Sequence, residues 1–197
     1  MATLTLPAAP ASVASPRRHR WSVEQYEQMA TAGILREDDQ VELLEGEIVD
    51  KMAIGDPHCF VVKTLNALFS ERLRGRAVVS VQDPIKLPWS VPEPDVALVQ
   101  PPLARYRARK PMPQDLFLVI EVADSSLEED LGRKARLYAA AGIAEYWVFD
   151  LPGGCVRVHD GPLEDGTWTT VEEKRPGAAL APAAFPDAAV DLGELLS

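Results

Sequence analysis

The stretch DLFLVIEVADSS, residues 115–126, decides how the rest of the sequence is interpreted. Its five consecutive apolar residues, 116–120, are typical of a strand that is buried on both faces. Glu121 follows them before the chain reaches its next loop. A carboxylate at the end of a buried strand is costly to desolvate, so it needs a partner or a chemical role. The stretch therefore predicts a central strand that ends in a candidate functional residue.

The segments around this strand predict a mixed sheet flanked by helices. Strand-like segments bounded by turn residues lie at 77–82, 85–88, 95–100, 115–122 and 145–150, and hairpins are predicted at 41–52 and 155–173. Helical spacing of apolar residues predicts three helices, which begin near Ser22, Asp56 and Ser126, with Asp56 as a cap before Pro57. This order of elements is typical of an α/β or mixed α+β domain.

Length and composition fit one globular unit. The chain has 197 residues, of which 47% are hydrophobic and 25% charged, so we expect a single domain over residues 19–197. The Ala-, Pro- and Ser-rich residues 1–18 are predicted to be a disordered leader. No run approaches the roughly 18 to 20 apolar residues of a membrane span, and no secretory signal pattern is present. We therefore expect a cytoplasmic protein without membrane segments.

Charge and cysteine content limit the function classes. A formal net charge of −10 counts against a protein that holds nucleic acid through a broad basic face. The one dense basic island, RYRARK at 105–110, lies in the loop between two predicted strands and is predicted to be a solvated loop. Cys59 and Cys155 are far apart and neither forms a CxxC pair, so the sequence indicates neither a disulfide framework nor a zinc site.

Antiparallel pairing of the strands at 95–100 and 115–122 would bring two carboxylates together. If Gln100 lies opposite Leu116, then Asp95 lies opposite Glu121, and opposed residues point to the same face. Like charges in such a place need a cation or protons, and Mg²⁺ accepts one or two carboxylates together with waters and a phosphate oxygen. The alternative is that Glu121 is an ordinary strand-end residue that leans into solvent and that Asp95 is a turn residue after Pro94.

The helix after Glu121 supplies further candidates. Asp130 and Lys134 are four residues apart, and by themselves they predict a surface ion pair of about 0.3 to 0.5 kcal/mol. Because the helix starts soon after Glu121, its first turns must lie near that carboxylate. A lysine there could position a water molecule or offset charge on a phosphate. Ser125 and Ser126 could touch a phosphate, but as residues just before a helix they are predicted to be caps.

Three segments in order, PEPD at 92–95, IEVADSS at 120–126 and DLGRKARLYAAAGIAEYWVFD at 130–150, resemble the Uma-two family of restriction-endonuclease-like proteins. That family is a branch of the PD-(D/E)XK nuclease superfamily. The resemblance covers roughly residues 21 to 160 and includes the hairpin ELLEGEIV. It implies a restriction-endonuclease-like central mixed sheet flanked by helices.

The resemblance also implies a metal-dependent endonuclease that hydrolyses phosphodiester bonds in nucleic acid, with DNA expected. By position, Asp95 and Glu121 would bind Mg²⁺ or Mn²⁺, and the backbone carbonyl of Val122 would join them. Ala123 stands where the superfamily has its lysine, and the resemblance implies that Lys134 on the next helix has taken that role.

Three supporting residues follow from the same resemblance. Asp130 would hold Lys134 in place. Glu42, in the first hairpin, matches an acid of the family and could be a second metal ligand or a base. His58 matches the histidine that opens a helix, and either a chemical role or a packing role is open to it.

A second function class remains open from the sequence. The acidic balance favours a catalytically weak or inactive nucleic-acid-binding or assembly module that keeps the nuclease fold. By analogy with small nucleases we also expect a homodimer, with an exposed EYW strand at 145–147 as its interface. Convergence of Asp95, Glu121 and Lys134 in one cleft would favour the nuclease.

Overall fold

The structure, a computed structural model, describes residues 18–36 and 38–196. The predicted leader therefore lies outside the described residues except for Arg18. Ten strands are described: β1 (Val41–Leu44), β2 (Glu47–Asp50), β3 (Val78–Val81), β4 (Val96–Val99), β5 (Leu116–Ala123), β6 (Glu145–Asp150), β7 (Cys155–Pro162), β8 (Trp168–Lys174), β9 (Ala179–Leu180) and β10 (Val190–Asp191).

Several helices surround the strands, and three consecutive helical segments form the crossover connection between β5 and β6. The helices are α1 (Val23–Thr31), α2 (Asp56–Arg72), α3 (Leu127–Glu129), α4 (Ala135–Ala140) and α5 (Leu192–Leu195), with a π-helical segment (Asp130–Lys134) between α3 and α4 and short 3₁₀ helices at Leu103–Tyr106 and Pro113–Asp115. None of the helices in the described ranges is both long enough and apolar enough to cross a membrane.

The main sheet has six strands in the order β3-β4-β5-β6-β7-β8. Strands β5 and β6 are parallel, and every other neighbouring pair in this sheet is antiparallel. Helix α2 covers one face through Val61, Leu65 and Phe69, and α4 covers the other face through Tyr138. The mixed sheet between helices confirms the predicted fold class.

The register between β4 and β5 agrees with the predicted pairing next to Asp95. Val96 lies opposite Ile120, and Leu98 lies opposite Leu118. A β-bulge then adds one residue on β5, so Val99 rather than Gln100 faces Leu116, and the predicted Gln100 pairing is wrong. The bulge lies at the far end of the two strands. Asp95 therefore still reaches the level of Glu121.

Two local predictions are wrong. Residues 85–88 form no strand and instead make a turn with one bridge between Leu87 and Ser90, although Ile85 and Leu87 are buried. Asp56 is the first residue of α2, and Gly55 occupies the cap position. The strand prediction at 85–88 failed because alternating apolar residues indicate burial, and burial does not require a partner strand.

The predicted EYW interface is also wrong. Strand β6 lies between β5 and β7, and all six of its residues are buried. Trp147 is fully buried and packs in the core beside Phe69. A strand whose two neighbours already occupy its hydrogen-bonding edges cannot pair with a second chain. The homodimer stays a prediction without an assigned surface.

Candidate active site

Asp95 is held at the start of β4 by contacts from two other elements. Its Oδ2 accepts a hydrogen bond of 2.8 Å from the backbone N–H of Val122 on β5. Its Oδ1 lies 3.0 Å from Nε2 of His58, in the first turn of α2. Only 13% of the Asp95 side chain is exposed. The carboxylate is therefore fixed in position beside the end of β5.

Glu121 is buried, so the alternative that it leans into solvent is wrong. Its Oε1 accepts hydrogen bonds from Nζ of Lys134 at 3.2 Å and from the hydroxyl of Tyr138 at 2.8 Å. Both donors come from the helical crossover that follows β5. The crossover packs back onto the face of the sheet that carries Glu121, which brings these donors to the carboxylate.

Lys134 lies at the centre of a group of carboxylates. Its Nζ lies 3.2 Å from Oε1 of Glu121, 3.3 Å from Oε1 of Glu42 and 3.7 Å from Oδ1 of Asp130. The predicted surface ion pair with Asp130 is wrong, because both residues are buried. The structure thus brings Lys134, Asp130 and Glu42 to the carboxylate of Glu121.

The π-helical segment from Asp130 to Lys134 presents two of these side chains. Single π-helical turns inside α-helices occur frequently at functional sites. Ser126 is the N-cap residue of α3, as predicted, but its side chain makes no capping bond, and its hydroxyl instead donates to Oδ2 of Asp130 at 2.5 Å. Asp130 is therefore held from one side by Ser126 and touches Lys134 on the other.

Burial of several like charges shifts the ionisation of this group. Burial raises the pKa of Glu121 well above 4.5, and the charges of Asp130 and Glu42 add to the shift while Lys134 reduces it. Burial likewise raises the pKa of Asp130. For Lys134, burial lowers the pKa but the surrounding carboxylates outweigh it, so the ammonium group stays charged. One lysine does not neutralise the carboxylates that surround it.

These side chains open onto a cleft of about 860 Å³. Among its described lining residues, nine are acidic and three are basic: Asp39, Glu42, Asp50, Glu93, Asp95, Glu121, Asp124, Glu129 and Asp130 against Lys51, Arg133 and Lys134. All three basic residues are in ion pairs, since Lys51 binds Glu93 and Arg133 binds Glu47. A phosphate that entered this cleft would meet an acidic wall unless cations accompanied it.

The donor atoms at this end of the sheet fit a hard divalent cation. Within the described ranges, no cluster of three or more His, Cys, Asp or Glu residues is arranged as a metal site. Mg²⁺, however, commonly takes only one or two carboxylates and keeps several waters. Asp95 and Glu121 supply two carboxylates in a group with excess negative charge, and that excess is what a cation would neutralise.

Sequence reasoning missed the contribution of Tyr138 to the site. Asp130, Lys134 and Tyr138 recur at intervals of four residues, and this spacing places side chains on one face of a helix. The spacing was therefore a usable signal. By contrast, no short-range pattern indicates that Arg133 donates to the carbonyl of Leu44 at 2.5 Å and so joins the crossover to the first hairpin.

The basic island at 105–110 is not part of the site. Arg109 makes two hydrogen bonds with Asp115, of 2.5 and 3.0 Å, and Lys110 binds Glu27 at 2.9 Å. The island belongs to the loop between β4 and β5, at the opposite end of these strands from Glu121. Arg109 and Lys110 are therefore paired with carboxylates that lie outside the cleft lining.

Comparison with known proteins gives a family match and a structural match. A family model described as "Uma2: Putative restriction endonuclease" matches residues 23–193. The structure is similar to the "Crystal structure of a putative nuclease belonging to DUF820 from Anabaena variabilis ATCC 29413", with a TM-score of 0.72 and 12% sequence identity over 89% of this chain and 97% of that chain. The curated proteins include no match. At this identity the structural likeness shows the fold alone.

Proposed function

This chain belongs to the Uma2 family of restriction-endonuclease-like proteins, and on that premise we propose that it is a metal-dependent endonuclease that hydrolyses phosphodiester bonds in nucleic acid, with DNA as its substrate. The observation that carries the proposal is the convergence of Asp95, Glu121 and Lys134 at one cleft. Perturbed carboxylates and a buried lysine in a cleft are typical of catalytic sites.

In this proposal, Asp95, Glu121 and the carbonyl of Val122 hold Mg²⁺ or Mn²⁺. When bound, such a metal polarises a phosphoryl oxygen and lowers the pKa of a water molecule. The charged ammonium group of Lys134 orients the attacking water or offsets charge on the phosphate. Asp130 positions Lys134, and the contact with His58 fixes Asp95.

The proposed part played by Glu42 is to position Lys134. Its Oε1 lies 3.3 Å from Nζ of Lys134, while its Oε2 accepts a hydrogen bond of 3.1 Å from the backbone N–H of Glu93. Both oxygens thus already have partners. Glu42 therefore joins the amine of Lys134 to the segment at Glu93, and we propose that it positions this lysine.

Calorimetric titration with Mg²⁺ and Mn²⁺ tests this proposal through Asp95→Asn. We expect the parent protein to bind the metal and the variant to lose affinity by more than the roughly 100-fold that loss of an outer-shell partner can cost. Cleavage of a labelled DNA duplex should be lost in parallel. Asp50→Asn is the matched control, because Asp50 lines the same cleft but is exposed and lies on β2. Equal binding by Asp95→Asn and the parent would refute the assigned site.

One observation favours a second candidate function, a binding or assembly module without turnover. All three basic residues described on the cleft wall are in ion pairs, which leaves the wall strongly acidic. The same cleavage assay separates the candidates. DNA binding at low salt without cleavage, in the presence of either metal, would favour the module over the nuclease.

A further inference from the structure

The two oxygens of Glu121 have different surroundings. Oε1 accepts hydrogen bonds from both Tyr138 and Lys134, whereas no residue in the described ranges donates to Oε2. Glu121 also lines the cleft. We propose that Tyr138 is a positioning residue that fixes Oε1 of Glu121 and so leaves Oε2 as the oxygen available to a divalent cation. This inference rests on the proposed metal-dependent function.

The position of the Tyr138 hydroxyl is set by packing. Tyr138 is fully buried, and its ring packs edge-on against Tyr146 with ring centroids 4.9 Å apart. A tyrosine side chain has only two main torsions, so a packed ring leaves its hydroxyl little freedom. A buried hydroxyl also needs a hydrogen-bond partner, and Glu121 supplies it at 2.8 Å. Each group therefore restrains the other.

Tyr138 and Lys134 contribute different properties to the same oxygen. Lys134 supplies charge but is shared among three carboxylates, from which its Nζ lies 3.2 to 3.7 Å away. Tyr138 supplies a shorter bond to Glu121 alone. Because the hydroxyl is neutral, it orients the carboxylate without adding a second positive charge beside the cation site. Outer-shell donors of this kind orient metal-binding carboxylates.

Tyr138→Phe tests this role, because it removes the hydroxyl and retains the ring. The experiment measures the affinity of the folded protein for Mn²⁺ and for Mg²⁺ by calorimetry, and the urea midpoint of the metal-free protein in the same buffer. We expect the affinity to fall by about 10-fold or more, as outer-shell substitutions do. The urea midpoint separately reports any loss of folding stability that the substitution causes.

Tyr146→Phe is the matched control. Tyr146 is equally buried, and its hydroxyl donates to the backbone carbonyl of Asp130 at 3.0 Å rather than to a carboxylate. Both variants lose one buried hydrogen bond, so we expect similar decreases in the urea midpoint. A purely structural role of Tyr138 would change the urea midpoint without changing the metal affinity of the folded protein.

The outcomes are distinguishable. Weaker binding by Tyr138→Phe with unchanged binding by Tyr146→Phe supports the inference. Parent-like affinity of Tyr138→Phe, or an equal loss in both variants, overturns the positioning role and leaves the proposed metal site standing. If the parent protein itself binds neither metal, the proposed metal-dependent function fails, and this inference fails with it.

Discussion

Lys134→Met should destabilise the folded protein by about 3 kcal/mol at pH 8, the lower end of the cost of removing one partner from a buried ion pair. The substitution keeps much of the side-chain volume but removes the positive charge. Glu42, Glu121 and Asp130 would then remain buried without that cation. We also expect DNA cleavage to be lost, since the charged amine faces the proposed reaction centre.

The destabilisation should depend on pH with a definite sign. Burial raises the pKa of Glu121 and Asp130, and loss of Lys134 would raise both pKa values further. A carboxyl group whose pKa is raised by folding stabilises the protein below its unfolded pKa, and this contribution is lost as the pH rises through the folded pKa. The cost of Lys134→Met should therefore be small near pH 4.5 and grow towards pH 8.

Urea unfolding at pH 5 and pH 8 measures this cost. Lys63→Met is the control, because Lys63 is exposed on α2 and its loss should change stability by less than about 0.5 kcal/mol. If both lysine substitutions lowered the free energy of unfolding by the same small amount at pH 8, the central place assigned to Lys134 would be contradicted.

Glu121→Gln should have effects of opposite sign on stability and on function. We expect metal binding and DNA cleavage to be lost, because an amide oxygen is a weaker ligand for Mg²⁺ than a carboxylate. The free energy of unfolding of the metal-free protein should nevertheless rise at pH 8, since burying a charged carboxylate costs free energy that burying a hydrogen-bonded neutral amide does not.

The physical reason for the gain is that glutamine keeps the shape of Glu121 without its charge. Its amide oxygen can still accept hydrogen bonds from Tyr138 and Lys134, while repulsion from Asp130 and Glu42 disappears. Because burial raises the pKa of Glu121, the contribution of this one group to stability is lost as the pH rises from 4.5, and the glutamine variant lacks that loss. The stability difference between them should therefore increase with pH.

Glu145→Gln provides the comparison for this substitution. Glu145 is also buried, at the start of β6, and burial raises its pKa, but it binds Trp147 and the backbone N–H of Ala183 outside the cleft. Metal affinity should be unchanged in Glu145→Gln. A Glu121→Gln protein that is less stable than the parent at pH 8 would show that Glu121 is a structural ion-pair partner of Lys134 alone.

Opposite effects on stability and function are expected where a protein maintains a binding site for a charged ligand. The carboxylates near Lys134 repel one another in the metal-free protein, and the same repulsion favours uptake of a cation. A structural ion-pair network would be balanced in charge. The excess of carboxylates around the single lysine therefore favours a cation-binding site over a structural ion-pair network.

Much of this arrangement follows from local sequence patterns. The apolar run 116–120 predicted the buried central strand, and the pairing of 95–100 with 115–122 predicted that Asp95 and Glu121 lie at one level. The β-bulge was not predictable, because an extra residue in a strand depends on how its neighbours pack. For the same reason, the apolar residues at 85–88 were assigned to a strand although they fill the core from a turn.

The sequence by itself determined the order of elements, the mixed sheet, the family and the residue types at the ends of β4 and β5, because these depend on periodicity and on motifs close together in the chain. Only the tertiary structure decided that Lys134 is buried among three carboxylates, that Tyr138 shares Glu121 with it, and that EYW lies inside the sheet. Burial and ion pairing depend on which distant segments pack together, and one short segment does not encode that.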